Sequence, residues 1–133
     1  MRFLDSNVFV YHMASDPRYG DKAEKILTRI ESEEEALTST LVIVQVCSYL
    51  KWKGSAAKIP LFLALLQSLP SLKKDETSFE DFTAALSLAE SHRLPWRMWD
   101  DLVIAAQMER LGLREIYSND ADFDRIPGIR RVF

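Results

Sequence analysis

Short apolar runs that stop at aspartates, with helix-length stretches between them, constrain this chain more than anything else in it. Met1-Arg2-Phe3-Leu4 ends at Asp5, and Glu115-Ile116-Tyr117-Ser118 leads into Asp120 and Asp122. Brief apolar runs bounded by turn residues read as buried strands. Strands alternating with helices imply βαβ units and a parallel sheet covered on both faces. In an open sheet of that kind, ligands bind beyond the carboxyl ends of the strands. Asp100 and Asp101 begin a helical segment, Trp99-Asp100-Asp101-Leu102-Val103-Ile104-Ala105-Ala106, that lies between the two aspartate-ended runs in sequence. Carboxylates gathered at one end of a sheet repel one another unless a proton or a metal ion offsets the charge. An all-oxygen cluster suits Mg²⁺ or Mn²⁺ rather than zinc.

The segments follow from local signals. Residues 2–5 form a strand, and Ser6 or Asn7 caps a short helix through Val8, Phe9, Val10 and Tyr11. Asp16-Pro17-Arg18-Tyr19-Gly20-Asp21 is a turn, followed by a helix over 21–34 with Ala23, Ile26, Leu27 and Ile30 at helical spacing. The run Glu31, Glu33, Glu34, Glu35 is a solvated helix end. A strand at 36–38 precedes an apolar helix, 41–53, capped by Ser39 or Thr40 and ended by Gly54-Ser55. A helix over 57–69 tolerates Pro60 in its first turn. A strand at 71–74 is followed by a helix that Thr77 and Glu80 start with capping-box spacing and that ends near 92. A helix over 99–111 stops at Gly112. The chain closes with a strand at 114–118, a helical turn at 121–126 and a strand at 130–133. The expected architecture is a single helix-rich, three-layer α/β/α domain over residues 1–133, with a mostly parallel sheet of four or five strands.

A chain of 133 residues suits one domain and buries enough surface for a core without staples. A net charge of −3 argues against a protein that simply coats nucleic acid, while leaving room for a local basic patch. The one cysteine, Cys47, lies in an apolar helix and reads as a buried thiol, which fits a reducing cytoplasm. Asp5 interrupts the opening apolar stretch, so no signal peptide is expected, and no apolar run approaches the roughly 20 residues of a membrane helix. His12 and His92 lack partners at zinc-ligand spacing.

Three stretches together resemble the PIN domain, a metal-dependent ribonuclease fold. Asp5-Ser6-Asn7-Val8-Phe9 looks like its opening acidic motif, Asp101-Leu102-Val103-Ile104-Ala105-Ala106 like the third, and Ser118-Asn119-Asp120-Ala121-Asp122-Phe123 like the fourth. The resemblance spans nearly the whole chain and is greatest to VapC-type toxins of toxin–antitoxin pairs. It implies that Asp5, Asp101 and Asp120 hold Mg²⁺ or Mn²⁺, with Asp122 catalytic beside them. Asn7, Asn119, Asp100 and Gln45 are supporting candidates. Taken singly, these aspartates also suit cap and turn chemistry. Adjacent residues do not share a helix face, so only one of Asp100 and Asp101 points into a common site.

Gln45 departs from the pattern, because the resemblance puts a glutamate there. It is also the one polar side chain in the run Leu41-Val42-Ile43-Val44-Gln45-Val46-Cys47. An amide keeps an oxygen that can face a cation but brings no charge, and it cannot serve as a general base near neutral pH. Weaker metal binding and slower or absent catalysis follow as expectations. Near the third motif, Arg93, Trp96, Arg97 and Trp99 can engage phosphates and unpaired bases; tryptophans in a core or a dimer surface fit the same residues equally well. Lys51, Lys53 and Lys58 read as solvated.

The leading functional expectation is divalent-metal-dependent hydrolysis of RNA phosphodiesters. The resemblance further implies an RNA substrate, a cognate antitoxin and a homodimer. The alternative is a PIN-derived RNA-binding or scaffold protein that lost catalysis through Gln45. A phosphoacceptor receiver domain also places aspartates beyond a parallel sheet, but no acceptor aspartate and later lysine stand at suitable spacing.

Overall fold

A computed structural model describes residues 1–133. Its centre is a five-stranded, all-parallel sheet of β1 (Arg2–Leu4), β2 (Ala36–Ser39), β3 (Leu72–Asp75), β4 (Glu115–Tyr117) and β5 (Arg130–Val132) in the order β3-β2-β1-β4-β5. Phe3 of β1 sits opposite Leu37 on one side and Ile116 on the other. The chain steps outward from β1 through β2 to β3, then crosses back over the sheet to β4. Parallel crossovers are right-handed almost without exception. The reversal therefore puts α1 (Ser6–Met13), α2 (Gly20–Glu31), α3 (Thr40–Trp52) and α4 (Ile59–Gln67) on one face, and α5 (Phe79–His92) and α6 (Trp99–Arg110) on the other. The packing of α1 against α2 and α3, and of α5 against α6, agrees with that division. The point of reversal lies between β1 and β4, and both strands end there on the residues of the acidic motifs.

The core follows from the same pattern. Phe3, Leu4, Ile116 and Tyr117 of the two central strands are fully buried. On the first face Phe9 meets Phe62 edge-on with ring centroids 5.3 Å apart. Helix α6 is buried continuously from Leu102 to Met108, because the sheet lies under one side and α5 packs along another. Each fully buried Leu, Ile or Phe contributes about 1.5–3 kcal/mol, so α6 is anchored firmly and holds its first turn in place.

Three local expectations are corrected. Ser6 and Asn7 do not cap α1; Asp5 does, with extended backbone and a carboxylate that accepts from the Ser6 N–H at 2.7 Å. The capping residues of α5 are Ser78 and Asp81, one position beyond Thr77 and Glu80. The reason is tertiary. Thr77 is drawn into the β2–α3 junction, where its hydroxyl accepts from the Leu41 N–H and donates to Gln107 Oε1. Asp81 in turn is held by Arg110 of α6. Finally, the helix expected over 57–69 divides into a 3₁₀ turn, Ala56–Lys58, and α4, with Pro60 in the first turn of α4.

Candidate functional site

Asp5 ends β1 and is 4% exposed. One carboxylate oxygen takes the Ser6 N–H; the other accepts from Ser118 Oγ at 2.7 Å and from Asn7 Nδ2 at 3.3 Å. Burial pushes its pKa up, the hydrogen bonds from Ser118 and Ser6 pull it back, and the negative charge of Asp120 raises it again, leaving it at about 6.

Ser118 and Asn119 carry the chain out of β4 and stitch it to α1. Ser118 Oγ accepts from the Asp120 N–H and from Asn7 Nδ2, both at 3.0 Å. The Asn119 N–H donates to Asn7 Oδ1 at 3.3 Å, and Asn119 Nδ2 donates to the Tyr11 hydroxyl at 3.1 Å. The supporting asparagines thus fix the two strand ends against each other. Asp120 then caps the 3₁₀ turn Ala121–Arg125 by accepting from the Asp122 N–H at 2.9 Å.

Asp101 lies in the first turn of α6 and is half-buried. Its pKa is pushed up to about 8, first by burial and then by the charges of Asp120, Asp5, Asp122 and Asp100. Groups 96 and more positions apart in sequence, such as Asp5 and Asp101, therefore share one field. One oxygen each from Asp101, Asp120 and Asp122 lie within 4.8 Å of one another. Asp5 is not in this tight trio. Its oxygens accept from Ser6, Asn7 and Ser118, and it is the more deeply buried carboxylate. Asp122 is paired with Arg97, whose Nη1 and Nη2 donate to its two oxygens at 2.5 and 3.1 Å.

Asp100 is exposed and turned from the trio, as its neighbour's inward orientation requires. It accepts from Gln45 Nε2 at 2.9 Å, while Gln45 Oε1 is buried with no hydrogen-bond partner. A buried acceptor without a donor is costly and uncommon. Gln45 thus reaches the start of α6, but only through Asp100.

Two participants escape a reading of the sequence alone. Ser118 has the signal of a small hydroxyl residue at a strand end, yet only the paired strands show that it serves Asp5. The Arg97–Asp122 pair joins residues 25 apart and has no spacing signal at all. A separate cleft, lined by His92, Glu109, Arg114 and Ile129 among others, lies beside the start of β4, away from the carboxylates.

Carboxylates from the first turn of α6 and from the turn after β4 gather where the strand order reverses, with the end of β1 beside them. A family model described as the PIN domain matches residues 2–129, and the chain belongs to that family. Solved structures share the fold. VapC20 of Mycobacterium tuberculosis, described as a sarcin–ricin-loop-cleaving toxin, is 14% identical, with a TM-score of 0.78 over 93% of each chain. A chain of VapBC2 from Rickettsia felis, bound to a DNA fragment from its promoter, is 19% identical, with a TM-score of 0.74 over 98% of this chain and 96% of that one. A chain of the DNA-bound VapBC from Salmonella typhimurium is 17% identical, with a TM-score of 0.68 over 99% and 97%. No curated protein matches the sequence significantly.

Proposed function

We propose that this chain is a divalent-metal-dependent endoribonuclease of the toxin–antitoxin kind. One observation carries the reading: an oxygen each from Asp101, Asp120 and Asp122 lie within 4.8 Å of one another at the sheet's switch point, and burial with neighbouring carboxylates pushes the pKa values of Asp5 and Asp101 up. The donor set fits Mg²⁺ or Mn²⁺, being all oxygen and rich in charge. Asp101 and Asp120 would hold the ion, with Asp5 beneath and Asp122 at the rim. When bound, the ion would acidify water and offset charge on a phosphate.

The protein's own groups supply the rest. Ser118 and Asn7 hold Asp5 in one orientation. Burial and the neighbouring carboxylates push the Asp101 pKa up to about 8, and a cation held there would favour its ionised form. Gln45 cannot take a proton from water, so no side chain at that position acts as a base. The VapBC neighbours support an antitoxin partner, and an RNA substrate and a homodimer are parts of the same proposal. No helix is long and apolar enough to cross a membrane.

Incubation with a mixed RNA pool tests the reading. Mn²⁺ is expected to support cleavage, a chelator to stop it, and Asp101→Asn to slow it by about 100-fold or more. Cleavage that persists undiminished in chelator or in Asp101→Asn would end the proposal. The neutral, Asp100-bound Gln45 favours a second reading, an RNA-binding relative without catalysis. That reading predicts no cleavage by the natural chain and a gain of cleavage in Gln45→Glu.

A further inference from the structure

Carboxylates gathered at one end of the sheet repel a polyanion, so an RNA strand approaching them needs a cation from the protein beside them. Arg97 stands there. It lies in the 3₁₀ turn Trp96–Met98, which leads directly into the first turn of α6 and Asp101. Its guanidinium meets Asp122 end-on through Nη1 and Nη2, and its charge also interacts with those of Asp120 and Asp101. An arginine has five N–H donors, and an end-on fork uses two. The remaining three have no acceptor in the protein, and 61% of the side chain is exposed. Exposed ion pairs add little to stability, so folding alone gives scant reason for this geometry. The planar fork does match the oxygens of a phosphate. Trp96, 70% exposed, is adjacent and offers a ring to an unpaired base. Arg131 is forked side-on to Asp124 through Nε and Nη2, and only 25% of its side chain is exposed, which leaves Arg97 as the freer donor.

The geometry points to Arg97 as the phosphate-binding residue of the site, gripping the RNA backbone beside the carboxylates, with Asp122 as the positioning residue that aims it. This assignment rests on the ribonuclease reading. It is tested by fluorescence anisotropy with labelled single-stranded RNA oligonucleotides of several sequences, in Mn²⁺, on the Asp101→Asn background to prevent cleavage. Titrations run from ~50 to ~200 mM salt. Adding Arg97→Ala is expected to weaken binding alike for every sequence and to reduce the salt slope by about 0.7, the value for one phosphate contact on a single strand. Arg97→Lys is expected to keep the slope while binding more weakly, because it retains the charge and loses the fork. Arg114→Ala, the same charge change beside the start of β4, is expected to leave the slope unchanged. Thermal melts confirm that each variant folds. An unchanged slope in Arg97→Ala, or an equal drop in Arg114→Ala, overturns the assignment. If the natural chain still cleaves RNA, the ribonuclease reading survives that result. A natural chain that neither cleaves nor binds RNA overturns both.

Discussion

The amide of Gln45 donates to Asp100 and leaves its own oxygen buried without a partner, so one polar atom at the edge of the acidic cluster is unsatisfied. Replacing the amide by a carboxylate changes two things in opposite directions. Gln45→Glu loses the donor that Asp100 uses and sets a second carboxylate beside it, which destabilises the metal-free protein by roughly 1 kcal/mol. It also adds charge that a hard cation uses, and tighter Mn²⁺ binding by about tenfold is expected. Melting with and without Mn²⁺ measures both: the variant melts lower than the natural chain in chelator and shows the larger rise when Mn²⁺ is added. A smaller rise would mean that position 45 does not face the ion. At this scale the sequence was legible through motifs in order, not through residue type alone. Taken singly, Asp5, Asp101 and Asp120 suit caps and turns, and it was their place in three motifs resembling the PIN domain that set them apart. Arg97 and Ser118 could not be assigned their partners, because side-chain pairing across the sheet edge leaves no periodic trace.

Elements were legible wherever one face decides their fate. The spacing of Ala23, Ile26, Leu27 and Ile30 gives α2, and all four are buried. Gly112, with φ of +73°, follows α6 in the left-handed conformation that glycine adopts without penalty. Element starts were less legible, since several polar residues in a row can each serve as a cap. Thr77-Glu80 and Ser78-Asp81 both satisfy the spacing, and Arg110 decides between them by binding Asp81. Asp81 is 1% exposed, accepts from the Ser78 N–H at 2.8 Å and pairs with Arg110 Nε and Nη2 at 2.8 and 2.9 Å. Burial pushes its pKa up, but Arg110 and the Ser78 backbone outweigh that and hold it below the usual carboxylate range. Asp81→Asn loses a buried charge pair whose cationic partner is partly solvated, and about 2 kcal/mol of stability is expected to go with it. Glu80→Gln, on the exposed side of the same turn, is expected to change stability by less than about 0.5 kcal/mol. Urea unfolding of the two variants separates them, and equal losses would return the cap to Thr77 and Glu80.

At the scale of the molecule, the strand order and the acidic cluster are one fact. Reversal of the winding between β1 and β4 opens a crevice at their carboxyl ends, and both strands deliver aspartates into it. Alternation of strands and helices announced the parallel sheet, but not which strand is central, because the order of parallel strands depends on crossovers that only the packed layers reveal. The crevice also leaves a signature on the stability of the whole chain. Asp5 and Asp101 have folded pKa values raised to about 6 and about 8 from an ordinary 3.8. Between the ordinary and the raised values the native state binds more protons than the unfolded chain, so stability falls as pH rises. Without metal, the protein is therefore expected to lose stability steadily from about pH 4 to about pH 8 and to level off above that. For Asp5 alone, the rise corresponds to about 3 kcal/mol. Asp81 acts in the opposite sense, since its lowered pKa contributes stability that is lost only as pH drops below about 4, outside this window. A bound divalent cation favours the ionised carboxylates, so saturating Mn²⁺ is expected to flatten the decline and to raise the melting temperature more at pH 8 than at pH 5. Melting curves at those two pH values, in chelator and in Mn²⁺, decide the matter. Metal-free stability that climbs between pH 5 and pH 8 would show that the carboxylates do not crowd one another as the fold places them.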